Sequence, residues 1–200
     1  MASVLLDIRY YRQFFFPLLL ISGILATQII DGKELVLFKY HREDIFSGQW
    51  WRLISGHFVH VTWMHLVFNV AGLVVIWLIF RDILTQRMWW MLTFGSIVGI
   101  DIGLLLFQPE IKWYMGLSGV LHGYFAGGSI QKIRLRGTRG LPYLILLIFK
   151  LLWEYFDGPL PGSADLSGAR VITEAHLYGA IGGSTVMLCL LVTSKYQLIK

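Results

Sequence analysis

Met115-Gly116-Leu117-Ser118-Gly119-Val120-Leu121-His122-Gly123 sets a serine between two glycines where a loop passes into an apolar, glycine-lined helix, with a histidine one turn later. Gly119, Gly123 and Gly127 recur every four residues, so one face of that helix is a flat ridge. A later apolar run carries Ala175-His176 and a second ridge, Gly179 and Gly183. Small residues at this spacing let helix backbones approach closely inside a bilayer. The pattern predicts that these two helices pack together and bring Ser118 to His176.

Outward from that stretch, the composition is that of a membrane protein. The chain is 56% hydrophobic with a mean hydropathy of +0.64, above the range of soluble domains. Its apolar runs approach the roughly 20 residues that cross a bilayer. The expected architecture is all-α and polytopic, one membrane domain over residues 1–200 with no separate soluble domain. Six spans are expected: Phe14 to Ile30, His57 to Phe80, Met88 to Phe107, Gly116 to Gln131, Leu141 to Phe156 and Val171 to Thr193. The fourth, at about 15 residues or roughly 22 Å, is short for a full crossing. The first run is longer than a signal-peptide core and no A-x-A site follows it, so it reads as a helix. Asp31 to Gly56 interleaves charges with aromatics, including Trp50-Trp51-Arg52, and suits a loop lying at the membrane interface. There is no internal repeat.

A net charge of +5 could suggest nucleic acid, but no groove-reading or stacking motif accompanies it. In a helical membrane protein the basic residues record topology instead. Arg9, Arg12, Arg81, Arg87, Lys132, Arg134, Arg136, Arg139, Lys195 and Lys200 fall on one side, ten against six, which puts both termini in the cytoplasm. Cys189, the lone cysteine, excludes an intrachain disulfide and reads as a packing residue.

Polar residues inside a bilayer are costly, so each is a functional candidate. His65 and Asn69 share a face of the second span, Ser118 and His122 a face of the fourth, and His176 follows Glu174 near the start of the sixth. All fall in the first half of spans entering from the same side, so they converge at similar depth. A serine hydroxyl becomes a nucleophile when a base takes its proton, and His176 can do so. Attack on an amide builds an oxyanion that needs donors aimed at it. His65, Asn69 and the backbone N–H groups of Gly116, Leu117 and Gly119 could supply them, aided by the dipole of the helix that begins there.

These residues resemble the rhomboid family of intramembrane serine proteases. The matching motifs are Trp51-Arg52, H-x-x-x-x-H-x-x-x-N at His60, His65 and Asn69, G-x-S-G at Gly116 to Gly119, and A-H-x-x-G-x-x-x-G at Ala175, His176, Gly179 and Gly183. The resemblance implies a six-helix bundle with an interfacial first loop. It assigns Ser118 as nucleophile, His176 as base in a dyad without an acid, and no cofactor or metal. Its setting would be the bacterial inner membrane, with the active site opening to the periplasm. Where many members have tyrosine four residues after the serine, this chain has His122, a form similar to the rhombosortase branch. That branch implies action on exported proteins with a GlyGly-CTERM tail, meaning a glycine motif, a transmembrane helix and a basic end; a monomer is expected.

Competing readings remain. Ser118 could simply cap a helix. The histidines could bind metal, although H-E-x-x-H is absent. A rhomboid-like protein could bind and escort transmembrane helices without cutting them. A transporter would show paired half-repeats, which are missing. Lys150 and Glu154, four apart in the fifth span, suggest an ion pair with Asp101 as a further partner, or a contact for a substrate helix.

Overall fold

The computed structural model describes residues 13–31 and 37–197. Among the described residues, six long helices carry the fold: α1 (Phe15–Asp31), α4 (Trp63–Phe80), α5 (Gln86–Phe107), α6 (Ser118–Arg136), α7 (Leu141–Asp157) and α9 (Thr173–Gln197). Three short ones, α2 (Arg42–Phe46), α3 (Arg52–Ser55) and α8 (Ser163–Ser167), lie in connections, and Gly137–Gly140 forms a 3-10 turn. By length and composition, α4, α5 and the Thr173–Thr193 part of α9 are able to cross a membrane; α1 is apolar but shorter. Arg9, Arg12 and Lys200 of the charge count, and Lys33 among the six on the other side, lie outside the described residues.

Three expected boundaries shift for local reasons. The second helix begins at Trp63 rather than His57, because Thr62 is its N-cap and accepts from the His65 N–H at 3.0 Å. His60 therefore lies on the turn ahead of α4. Thr85 caps α5 in the same way. The fourth helix does not fade at Gln131; it runs 19 residues to Arg136, about 28 Å. Its basic end is accommodated by stacking, with Lys132 Nζ 4.0 Å from the centroid of the Tyr143 ring.

α5, α6 and α9 form the centre. A Cβ added to Gly179 would overlap the Gly119 carbonyl, and one on Gly183 the Gly123 carbonyl, so the expected ridges on α6 and α9 touch backbone to backbone. A third ridge was not foreseen. Gly95 and Gly99 on α5 meet Gly182 on the other side of α9. Aromatic packing of Phe16, Trp89 and Tyr124 ties α1, α5 and α6 together. Outward faces carry exposed Leu18, Ile29, Val75, Phe94, Ile102, Ile145 and Phe149, a surface suited to lipid. Cys189 is exposed on α9 and does not pack into the core.

The first loop is fastened to the approach to Ser118. Tyr40–His41 (β1) pairs antiparallel with Trp113–Tyr114 (β2), a ribbon the sequence did not announce. Arg42 donates to the carbonyls of Leu104 and Leu105 at the end of α5, at 3.0 and 2.9 Å. Arg52 is buried and donates to Gln49 Oε1 and the Lys39 carbonyl while pairing with Asp44. Trp51 is exposed and donates its indole N–H to the Leu37 carbonyl. Both residues thus hold the loop. Asp101 does not reach Lys150; its Oδ1 lies 3.3 Å from Nε2 of the fully buried His57.

Candidate active site

The turn from β2 into α6 needs glycine. Gly116 has φ of +121°, a region that L side chains avoid, and a Cβ there would stand 2.8 Å from His65 Cε1. Its N–H donates to the Gly56 carbonyl at 3.1 Å, locking the turn to the first loop. The helix cap is Leu117, with no side-chain capping bond, so the Ser118 hydroxyl is not spent on the helix terminus.

That hydroxyl lies 3.0 Å from His176 Nε2 on α9. The ring is fixed on three sides. Both Glu154 oxygens accept from Nδ1–H, at 3.0 and 2.9 Å. A carboxylate only accepts, so the ring carries its proton on Nδ1 and offers the Nε2 lone pair to the serine. Against one ring face lies His122, its centroid 4.1 Å away and its plane tilted by 13°. His122 is itself held by Nδ1–H donating to the Ser118 carbonyl at 2.7 Å. Glu154 in turn pairs with Lys150 at 2.6 Å.

Of the other expected site residues, His65 shares a cavity with Ser118, whereas Asn69, His60 and Gly119 make other contacts. His65 and Ser118 line a small, partly enclosed cavity of about 30 Å³, room for about one water, roofed by Ser167, Ala169 and Ile172. The roof is tied down by the Thr62 hydroxyl, which donates to the Ser167 carbonyl at 2.7 Å. Asn69 is buried and donates to the His65 carbonyl at 2.9 Å, on its own helix and away from the cavity lining. The Leu117 N–H reaches toward His60 Nε2 at 3.5 Å. Burial, then the neighbouring His65, holds His60 down to about 3, so its ring is neutral and free to accept. Gly119 is pressed between the Ala175 carbonyl and the Tyr114 phenol.

Two contributors were missed or misassigned from sequence. Tyr114 is buried, donates to the Gly116 carbonyl at 2.6 Å and lies against the Ser118 hydroxyl and Gly119 N–H. Burial pushes its phenol well above the usual tyrosine range, so it stays protonated. A tyrosine two residues before a glycine turn carries no signal in one sequence. Glu154 was visible as an unusual buried charge, but its partner His176 was not.

His122, Glu154 and His176 offer three ligand atoms within 4.8 Å of one another. His176 bonds Glu154 and Ser118, His122 bonds the Ser118 carbonyl, and Glu154 also pairs with Lys150. The cluster reads as a hydrogen-bonded relay. Beside His122 an apolar cavity of about 220 Å³ opens between α4, α6 and α7, lined by Ile76, Leu121, Phe125, Leu146, Leu147 and Lys150.

Comparison with known proteins agrees with the motifs. A model described as Rhomboid domain matches residues 47–193. "Putative rhomboid protease YdcA" of Bacillus subtilis (strain 168) is 23% identical over 186 residues, covering 91% of this chain and 84% of the relative. With the family model spanning most of its length, from the first loop to the end of the last apolar helix, the chain belongs to the rhomboid family.

Proposed function

We propose that the protein is an intramembrane serine endopeptidase in which Ser118 is the nucleophile and His176 the general base. The observation that carries this reading is the 3.0 Å contact between Ser118 Oγ and His176 Nε2, made across two helices whose backbones touch. The hydroxyl donates to Nε2, attacks the scissile carbonyl and passes its proton to the ring. His65, facing the same cavity, and the start of α6 stabilise the oxyanion. His176 then protonates the leaving amine, and the acyl group on Ser118 is released by water or by another amine.

The apolar cavity beside His122 favours a substrate presented as a membrane helix, since a peptide arriving there meets aliphatic side chains rather than water. The histidine at position 122 favours the rhombosortase branch, and with it exported substrates bearing a GlyGly-CTERM tail and a basic end. The basic cluster at the end of α6 favours cytoplasmic termini and a site opening to the periplasm of a bacterial inner membrane, where the exposed Phe46, Trp50 and Trp51 of the first loop would sit at the interface. A non-catalytic escort of membrane helices would have no use for a serine and histidine in hydrogen-bond contact.

Co-expression with a GlyGly-CTERM protein tests the whole reading. The wild type is expected to shorten the substrate, and Ser118→Ala and His176→Ala to leave it at full length. Processing by both variants at the wild-type rate would remove the proposed active centre.

A further inference from the structure

The family resemblance implies a serine and a histidine with no acid, yet the histidine here has a carboxylate bound to its far nitrogen. We propose that Glu154 is a positioning residue of the catalytic centre, holding the proton of His176 on Nδ1 and aiming Nε2 at Ser118, with Lys150 as its counter-charge. This rests on the reading of Ser118 and His176 given above.

The geometry follows from helix register. Glu154 lies three residues before the end of α7 and His176 three residues after the start of α9, so the antiparallel neighbours present them at one depth. Lys150 is one turn earlier on the same face of α7. The Glu154 side chain is 4% exposed and that of His176 5%. An isolated ionised carboxylate in such a place would cost several kcal/mol, so its charge needs partners. Lys150, 27% exposed at the edge of the apolar cavity, supplies one at 2.6 Å.

A purely structural ion pair would be complete with Lys150 alone. Here both carboxylate oxygens also face Nδ1, the one ring nitrogen not facing Ser118. When the serine proton moves to Nε2, the ring becomes an imidazolium with a carboxylate already 2.9 Å from its other N–H. No group has to reorganise to meet that charge. Without the carboxylate, no other acceptor among the described residues would hold the proton on Nδ1, and on Nε2 it would face the serine and block its activation.

The test uses the purified full chain in detergent and a fluorophosphonate probe, which reports nucleophilic attack by the serine without a known substrate. Concentration series separate the maximal labelling rate from probe binding. Glu154→Gln is expected to lower the maximal rate by about 100-fold or more with binding little changed, and Glu154→Asp, which keeps the charge, to recover part of it. Lys150→Met is expected to give a smaller loss. A wild-type maximal rate in Glu154→Gln, alongside no labelling of His176→Ala, overturns this inference and leaves the Ser118–His176 reading intact. Labelling of His176→Ala at the wild-type rate overturns that reading, and this inference with it. If Glu154→Gln does not fold, the wild type decides. Nitrogen NMR of histidine-labelled protein, assigned with His176→Ala, is expected to show His176 protonated on Nδ1; protonation on Nε2 overturns the proposal.

Discussion

α6 and α9 meet backbone to backbone, whereas α7 meets them mainly through side chains. Along the first contact, Gly119, Gly123, Gly179 and Gly183 leave no room for a single added carbon. Along α7 only Leu147 and Glu154 are buried, and Ile145, Leu146, Phe149, Leu152 and Phe156 are exposed. Lipid is as apolar as leucine, so helices in a bilayer gain little from hiding such residues from it; close van der Waals contact and polar bonds carry the association. The difference divides the labour in the site. Ser118 and His176, whose separation must stay within hydrogen-bond reach for the proposed chemistry, sit on the pair packed most closely. Glu154 arrives on the looser helix and is held by its bonds to His176 and Lys150.

Breaking the tight contact should have the largest effect. Alanine normally gains about 1 kcal/mol over glycine inside a helix. At Gly179 the new Cβ would meet the Gly119 backbone, which cannot rotate away, and overpacking of this kind costs about 1–3 kcal/mol or more. Gly179→Ala is therefore expected to melt at lower temperature in detergent and to lose probe labelling; a melting temperature at or above wild type would show that the two helices are not in contact.

The fastening of the first loop gives the next effect. Asp101→Ala leaves His57 Nε2 buried without its partner, and a loss of about 1–3 kcal/mol is expected in denaturant titration. Labelling at saturating probe should be less affected, since neither Asp101 nor His57 lines the cavity at Ser118. A smaller loss, about 1 kcal/mol, is expected for Thr62→Ala, which removes the cap of α4. The same change frees the roof over the cavity, so limited proteolysis between residues 158 and 172 should quicken. Unchanged cleavage would mean the roof is held by something else.

The smallest effect sharpens the comparison from the other side. Gly23 on α1 has nothing within 4 Å of a would-be Cβ. Gly23→Ala is expected to be neutral or to stabilise by up to about 1 kcal/mol by the same thermal melt. Opposite signs for one substitution at Gly23 and Gly179 would tie the cost to helix contact rather than to glycine itself.

Much of this architecture was legible because it is periodic. Four-residue spacing of glycines on α6 and α9 announced their contact, and apolar runs located the long helices to within a few residues. Boundaries moved where local chemistry outweighed hydropathy: Thr62 starts α4 six residues late, and Lys132 prolongs α6 by stacking on Tyr143. Ser118 and His176 stood out because polar residues are rare in such helices. Asp101 stood out for the same reason, but its pairing with His57 instead of Lys150 was beyond reach of the sequence.

The chain's own pattern determined a helical membrane protein of the rhomboid family and marked the hydroxyl and imidazole at its centre, because helix periodicity and the cost of polar groups in lipid are local properties. Only the tertiary structure decided that Glu154 turns toward His176, that α5 adds a third glycine contact through Gly182, and that Tyr114 lies beside the serine. Those depend on how each helix is rotated about its axis, and that rotation is set by the neighbours a helix touches rather than by the residues it contains.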